Sequence, residues 1–225
     1  LYFFKKENIT FLILIGFINF ILGFLDDLKF LVNPVKRFII IILSNILLIV
    51  LFNFNISSFE VIFLDYLNEI FFFKLLLVLM AIFFIINGSN LIDGFNGLLS
   101  IHSILIFLIL FFLNENYTDN NYNISLYLKF LILSLIIFTF LNFPNAKIFM
   151  GDGGAYFLGS QIAVISILIS NNSKIISPIF IAIVLSYLFF EIFFSVFRKI
   201  LEKKNPFFPD RNHMHMLIHD KIKKY

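Results

Sequence analysis

Four short polar stretches carry the acidic, amide and histidine side chains of this sequence that could do chemistry. They are residues 23–37, 87–98, 142–154 and 206–219, and each adjoins a long run of apolar residues. A charged group is costly near hydrocarbon, so an acid in such a place is a functional candidate by default.

The first stretch places two adjacent carboxylates, Asp26 and Asp27, directly after an apolar run. Adjacent carboxylates can share a divalent cation, or they can hold one another's pKa values apart for proton transfer. Lys36 and Arg37 close the loop and could meet an anionic lipid head group. Taken alone, this stretch is better explained as a solvated turn whose acids cap a helix.

The second stretch surrounds one acid, Asp93, with three Asn-Gly or Asp-Gly pairs. If a helix continues through it, Asn90, Asp93 and the Asn96-Gly97 pair share one face, because positions three and four apart are neighbours on a helix. Oxygen donors of this kind suit Mg²⁺ or Mn²⁺. The pairs are also typical of turns, but the lack of loop length between two apolar runs favours a site.

The third stretch ends in Gly151-Asp152-Gly153-Gly154, just before another apolar run. Glycine lets backbone approach a phosphate closely, and the positive end of the following helix would favour an anion or position Asp152 beside a metal. Phe149 offers a flat face on which a base could stack, and Asn142 offers an amide for its polar edge. The alternative is close helix packing, which explains Gly159 well and Asp152 poorly.

The fourth stretch carries Arg211, His213 and His215, which could bind a diphosphate as cations or hydrogen-bond donors. A solvated loop is the plainer explanation, and His-X-His is a weak zinc signal without further ligands. His102 and Glu191 stand alone in or beside apolar runs. We expect these two residues to serve packing or hydrogen bonding.

The elements that must position these residues are membrane helices. Of the 225 residues, 60% are hydrophobic and 14% are charged, with a mean hydropathy of +0.99, which is more apolar surface than one soluble core hides. Cysteine is absent, which excludes disulfides, thiolate metal sites and cysteine nucleophiles.

The apolar runs predict an all-α polytopic membrane bundle that forms a single domain over residues 1–225. A helix needs about 17 to 25 apolar residues to cross hydrocarbon, and continuous runs favour helices over barrel strands. We expect seven spans, at residues 9–25, 38–52, 70–86, 98–113, 124–141, 155–170 and 176–197. Residues 198–225 form a basic tail with the histidine motif. Because the chain begins with Leu1, we also expect further helices upstream.

Lysine and arginine predict the orientation by the positive-inside rule. The segments after the first, third, fifth and seventh runs form one side, and this side carries Arg37, Lys147 and the basic tail, whereas Lys174 is the one basic residue in the opposite loops. The Lys5-Lys6 pair contradicts this orientation. All four polar stretches are therefore expected at the cytoplasmic face.

Together the four stretches resemble, in order, spacing and membrane side, the bacterial polyprenyl-phosphate N-acetylhexosamine-1-phosphate transferases of glycosyltransferase family 4. That family includes the undecaprenyl-phosphate GlcNAc-1-phosphate transferases and the phospho-MurNAc-pentapeptide translocase. The resemblance covers essentially the whole chain. It is carried by Asp26-Asp27, residues 90–98, residues 142–159 and Pro209-Asp210-Arg211-Asn212-His213-Met214-His215.

The resemblance implies transfer of a sugar-1-phosphate from a UDP-N-acetylhexosamine to undecaprenyl phosphate, with Mg²⁺ or Mn²⁺ and release of UMP. It places this reaction at the cytoplasmic face of the bacterial plasma membrane, at the start of cell-surface polysaccharide synthesis. It implies that the protein contacts membrane lipid and that it has no nucleic-acid partner. A homodimer is compatible with it. The implied residues are Asp26, Asp27 and Asp93 for catalysis, Asp152 and Asn90 for the metal, and Asn142, Phe149, Arg211, His213 and His215 for the substrates.

The sequence departs from the family pattern in several places. Phe30 stands where a third acid usually follows the pair, and Asn96 stands where Asp is frequent. The family's upstream helices and its last helices are missing. Met214 and Met216 interrupt the run of three histidines, which favours a GlcNAc-type enzyme over the pentapeptide translocase.

Two other functions fit the same residues. A transporter or flippase of lipid-linked sugars would also place acids and amides inside a bundle, but it predicts polar residues in mid-span or at both faces. An inactive, truncated family member would fold without binding a UDP-sugar in a Mg²⁺-dependent way.

Overall fold

The computed structural model of the protein describes residues 2–30, 33–118, 122–205 and 212–223, with the side chains of residues 2–7 and 220 excepted. Every regular element in these ranges is a helix. The helices are α1 (Tyr2–Asp27), α2 (Pro34–Leu51), α3 (Ile62–Asn68), α4 (Phe71–Ile92), α5 (Leu98–Tyr117), α6 (Tyr122–Asn142), α7 (Gly151–Asn171), α8 (Pro178–Val184), α9 (Ser186–Leu201) and α10 (Met214–Ile222).

Six of the described helices are long and apolar enough to cross a membrane, namely α1, α2, α4, α5, α6 and α7. The successive helices α8 and α9 form a seventh span if they are counted together, with a bend of 71° between them. The predicted all-α polytopic bundle is therefore confirmed.

The seventh run differs from the single span predicted over residues 176–197. Ser177 begins α8 as its N-cap, with Oγ accepting a hydrogen bond from the backbone N–H of Phe180 at 3.2 Å. Leu185 then has φ −90° and ψ 8°, outside the α region. The regular helix ends at this residue. The next helix, α9, begins at Ser186 with its axis at 71° to that of α8 and ends at Leu201.

Two short helices, α3 and α10, lie outside the predicted spans. Asp65 of α3 accepts hydrogen bonds from the backbone N–H of Phe59 at 2.6 Å and from the hydroxyl of Ser58 at 3.1 Å. Helices of seven and nine residues are too short to show as membrane runs. Their presence depends on contacts that the sequence pattern does not reveal.

The central helix of the bundle is α7, which contacts α1, α4 and α5. In its most apolar stretch of 18 residues, 89% of the residues are buried. Glycines allow this close packing. A Cβ on Gly159 would lie 2.6 Å from Cα of Ile86, and one on Gly23 would lie 2.3 Å from the carbonyl oxygen of Asp152. Helix association in lipid depends on such close contact, so the packing role predicted for Gly159 is confirmed.

Polar side chains in mid-span bond to one another. The amides of Asn19 and Asn45 exchange two hydrogen bonds of 3.2 Å between α1 and α2. Tyr127 donates its hydroxyl to Oε1 of Gln161 at 2.8 Å, and Nε2 of Gln161 donates to the carbonyl of Leu12 at 3.1 Å. These bonds tie neighbouring helices together at depths where an unpaired polar group is costly.

Candidate active site

The candidate residues meet at one end of the bundle, where α1, α4 and α6 end and α7 begins. The described candidates there are Asp26, Asp27, Asn90, Asp93, Asn142, Phe149, Asp152, His213 and His215. Arg211 lies outside the described residues, so its predicted role stays a prediction. We call this group of residues the acidic end of the bundle.

Asp27 joins α1 to the first turn of α7. Its Oδ1 accepts a hydrogen bond from the backbone N–H of Asp152 at 2.9 Å, and its Oδ2 accepts one from Gly153 at 3.1 Å. Gly151 precedes them with φ +67°, and a Cβ there would lie 2.7 Å from Oδ2 of Asp27. Asp27 therefore caps a helix, as its sequence context suggested, but the helix is α7 and not its own neighbour.

Asp26 forms an ion pair with Arg37 of α2. The start of α2 is set by Asn33, whose Oδ1 accepts from the backbone N–H of Val35 at 3.0 Å. This start places Arg37 in the first turn, where its guanidinium also lies 3.9 Å from Oδ2 of Asp152. The cation predicted to meet a lipid head group thus already contacts two of the acids.

Asn90 supports Asp152 across the interface between α4 and α7. The Asn90 side-chain amide donates to Oδ1 of Asp152 at 2.6 Å. This contact is possible because α4 remains helical from Asn87 to Ile92, although the Asn87-Gly88 pair by itself is typical of a turn. Asn87 instead bonds back to the carbonyl of Phe83 at 2.7 Å within the helix.

Asp93 lies one residue beyond α4, as its C-cap, so the helix considered for this stretch does not continue through Asn96. The chain turns instead, and Gly97 has φ +80°, a conformation that glycine adopts without penalty. Burial, together with the negative charges of Asp152 and Asp27, raises the pKa of Asp93 to about 7. Its carboxylate has no side-chain hydrogen bond to another described residue, which leaves it able to accept a proton near neutral pH.

The charge balance at the acidic end suits a divalent cation. Four carboxylates gather there, and the described residues bring one guanidinium, that of Arg37, within ion-pair distance of two of them, Asp26 and Asp152. The described side chains form no group of three or more acids or histidines arranged around a metal position. Mg²⁺ typically uses one or two carboxylates together with substrate phosphates and water, so this donor set fits that ion.

Asn142 connects the second and third polar stretches. Its Oδ1 accepts from the backbone N–H of Gly97 at 2.6 Å, and its Nδ2 donates to the carbonyl of Ile148 at 2.7 Å. The amide is buried and holds the two loops side by side. Phe149 follows with 76% of its surface exposed, so its ring is accessible at this end of the bundle.

The histidine segment is attached to α9 by Glu191. The buried carboxylate of Glu191 contacts Nδ1 of His215 at 2.9 Å and accepts from the backbone N–H of Met214 at 3.3 Å. The rings of His213 and His215 stack at 5.8 Å, and Phe95 meets His215 edge-on at 5.3 Å. The described part of the fourth polar stretch, at His215, therefore lies against Phe95 of the second.

Glu191 was expected only to pack or to form hydrogen bonds, and its hydrogen bonding is confirmed. Its link to the histidine segment was not foreseen. The signal in the sequence was a single acid within an otherwise apolar run, 24 residues before His215.

The sequence is similar to known proteins over most of its length. The sequence model described as glycosyl transferase family 4 matches residues 9–170. The chain is 30% identical over 224 residues to an undecaprenyl-phosphate alpha-N-acetylglucosaminyl 1-phosphate transferase of Thermotoga maritima, covering 99% of this chain and 65% of that protein.

Two further relatives are similar to the chain. A probable undecaprenyl-phosphate N-acetylglucosaminyl 1-phosphate transferase of Bacillus subtilis is 31% identical over 89% of this chain and 55% of its own length. A phospho-N-acetylmuramoyl-pentapeptide-transferase of Dictyoglomus thermophilum is 32% identical over 88% of this chain and 64% of its own length. The chain thus spans between about half and two thirds of these relatives.

Proposed function

This chain belongs to glycosyl transferase family 4, and on that premise we propose that it transfers an N-acetylhexosamine-1-phosphate from a UDP-sugar to undecaprenyl phosphate. The observation that carries the proposal is the meeting of Asp27, Asp93 and Asp152 at one end of a membrane bundle. Acids gathered there, at the end of apolar spans, suit a reaction between a lipid and a water-soluble donor.

The reaction joins two anions. A phosphate oxygen of the lipid forms a bond to the β-phosphorus of the UDP-sugar, and the bond from that phosphorus to the bridging oxygen breaks. UMP leaves with the bridging oxygen and its electron pair. The product is the lipid-linked diphosphate of the amino sugar.

Asp93 is the proton acceptor in this proposal. Its raised pKa, about 7, allows it to take a proton from the lipid phosphate at neutral pH. Asp26 and Asp27 are already bonded to Arg37 and to the start of α7, respectively. In this proposal they fix the positions of α1, α2 and α7 around Asp93, and their carboxylates contribute to the negative charge there.

Asp152 would hold Mg²⁺, or Mn²⁺, with Asn90 orienting its carboxylate through the 2.6 Å contact. A divalent ion bound there supplies positive charge that offsets the charge of the two phosphate groups. Asn142, Phe149, Arg211, His213 and His215 are proposed to bind the nucleotide-sugar. The proposed setting is the cytoplasmic face of the bacterial plasma membrane, at the start of cell-surface polysaccharide synthesis.

A transporter of lipid-linked sugars is less well supported. It predicts polar groups in mid-span that serve a substrate path, whereas the described mid-span amides of Asn19 and Asn45 bond to each other. The acids with unbalanced charge lie at the acidic end instead.

The test is UMP release by the purified protein in detergent, given UDP-GlcNAc, undecaprenyl phosphate and Mg²⁺. We expect release that stops with a chelator and resumes with added Mg²⁺ or Mn²⁺. Asp152→Ala should abolish it. Glu60→Gln should not, because Glu60 is an exposed acid in the loop after α2, at the end of that helix away from Arg37. Metal-independent release, or an unaffected Asp152→Ala variant, would contradict the proposal.

A further inference from the structure

We propose that Glu191 is a positioning residue that holds His215 with its Nε2 directed at the turn after α4. The inference rests on the proposed function, because it assigns His215 to the binding of the UDP-sugar. Glu191 itself contacts no substrate in this proposal and acts through the histidine.

Glu191 is built into the bundle as an anchor. Its side chain is fully buried on α9, and its carboxylate is surrounded by donors. Tyr187 donates its hydroxyl to Oε1 at 3.1 Å, and the backbone N–H groups of Met214 and His215 approach at 3.3 and 3.4 Å. A buried carboxylate is stable only when it is bonded in this way, so the anchor fixes the start of α10 against α9.

The same carboxylate also selects which ring nitrogen of His215 remains available. Nδ1 lies 2.9 Å from Oε1 of Glu191, so Nδ1 carries a hydrogen and donates a hydrogen bond to the carboxylate. Nε2 is buried and has no hydrogen-bond partner among the described residues. A carboxylate on one imidazole nitrogen fixes the orientation and the tautomer of the ring, which leaves Nε2 to meet a ligand.

Gly94 lets the His215 ring lie directly against the turn after α4, because a side chain at this position would collide with the ring. A Cβ at Gly94 would lie 2.6 Å from Nε2 of His215 and 2.6 Å from Cε of Met216. The edge of Phe95 supports the His215 ring at a centroid distance of 5.3 Å. Nε2 therefore points at the residue that follows Asp93, so His215 supports the turn against which the proposed function places the UDP-sugar.

The first test measures steady-state kinetics of UMP release by the full chain. For Glu191→Gln we expect KM for UDP-GlcNAc to rise by on the order of 10-fold, with KM for undecaprenyl phosphate unchanged. Tyr187→Phe is the matched control, because it removes one hydrogen bond to Glu191 and leaves His215 in place, and we expect less than about a 2-fold effect. A fall in kcat with both KM values unchanged would overturn the proposal.

The second test is a double-mutant cycle with His215→Ala. If Glu191 acts through His215, the effect of Glu191→Gln on KM for UDP-GlcNAc falls below about 2-fold in the His215→Ala background. An equal effect in both backgrounds would show that Glu191 has a purely structural role.

A third measurement separates this proposal from the proposed function. Hydrogen exchange of the Met214 and His215 amides requires no activity, and we expect Glu191→Leu to speed it markedly while amides of α7 stay protected. If the wild-type chain releases no UMP but this exchange result holds, the proposed function fails and the anchor stands. Unchanged exchange at these two amides would remove the anchor itself.

Discussion

The polar side chains in mid-span and those at the acidic end are partnered in different ways. Between Asn19 and Asn45 in mid-span, donors and acceptors match, and each amide also donates to its own helix at 2.8 and 2.7 Å. At the acidic end, Asp26 and Asp152 share Arg37, and Asp93 is left without a side-chain hydrogen bond to the described residues. Matched neutral groups hold helices together, whereas unbalanced charge near a membrane marks a place where a ligand completes the bonding.

The largest effect expected within this comparison comes from Asp27→Ala. The change removes the cap on α7 and one of the charges beside Asp93. We expect UMP release to fall on the order of 100-fold, because displacement of reacting groups by about 1 Å costs that much, and stability to fall by about 1 kcal/mol. Kinetics and thermal unfolding measure the two losses separately, and a loss of stability without a loss of rate would contradict a site at this end.

The packing of α1 on α7 offers the next test. Gly23→Ala places a Cβ 2.3 Å from the backbone oxygen of Asp152, whereas Gly16→Ala places one 2.3 Å from the side-chain nitrogen of Gln161. Backbone yields less readily than a side-chain end. We therefore expect Gly23→Ala to reduce UMP release by roughly 10-fold, within the range that misplacement of reacting groups allows, and Gly16→Ala to affect mainly thermal stability. Equal loss of rate in both variants would remove the distinction between the two regions.

Asp93→Asn tests the unbalanced charge directly. Because folding raises the pKa of Asp93 to about 7, the folded state binds a proton more tightly than the unfolded chain does. The stability linked to this proton is fully present below the ordinary pKa of 3.8 and is lost as the pH rises from there through about 7. We expect Asp93→Asn to unfold a few degrees higher than wild type at pH 8 without metal, and we expect this advantage to be smaller at pH 5.

Added Mg²⁺ provides the control for this prediction. A bound divalent ion stabilises the ionised carboxylates of the wild type, so it should reduce the advantage of Asp93→Asn at pH 8. An advantage of equal size at both pH values would show that the charge of Asp93 is not the cause.

The smallest effect is expected in mid-span. Asn45→Leu leaves the Asn19 amide without its partner, whereas the double change Asn19→Leu with Asn45→Leu removes both polar groups. Paired polar contacts of this kind in membranes average about 0.6 kcal/mol, and the single variant should cost more than the double variant. Reversible unfolding in detergent measures this order, and UMP release should stay unchanged in both variants.

The fold class could be read from the chain, because long apolar runs have one stable form in lipid. The convergence of Asp26-Asp27, Asp93 and Asp152 was also expected, since their stretches follow or precede spans on one side. The internal geometry of the site was not expected, because the Asn87-Gly88 pair is typical of a turn, whereas in the structure it lies within α4. A Cβ on Gly88 would lie 2.8 Å from the carbonyl oxygen of Leu188, and this packing against α9 holds the segment as helix.

Glu191 shows the same limit in another form. An acid in an apolar run predicts a bonded acid, but its partner is 24 residues further along the chain, in α10. The bend between α8 and α9 depends on the conformation of Leu185, which no residue type in the run requires. The link between Glu191 and His215 was therefore visible only in three dimensions.

The sequence alone determined that acids, amides and histidines stand at the ends of membrane helices, because hydropathy and charge are properties of residue types and act over short distances. Tertiary structure decided what each of them does. Asp27 caps α7, Asn90 supports Asp152, and Asp93 is left with a raised pKa. These differences arise from burial and from neighbours on other helices, which the order of residues along one chain does not specify.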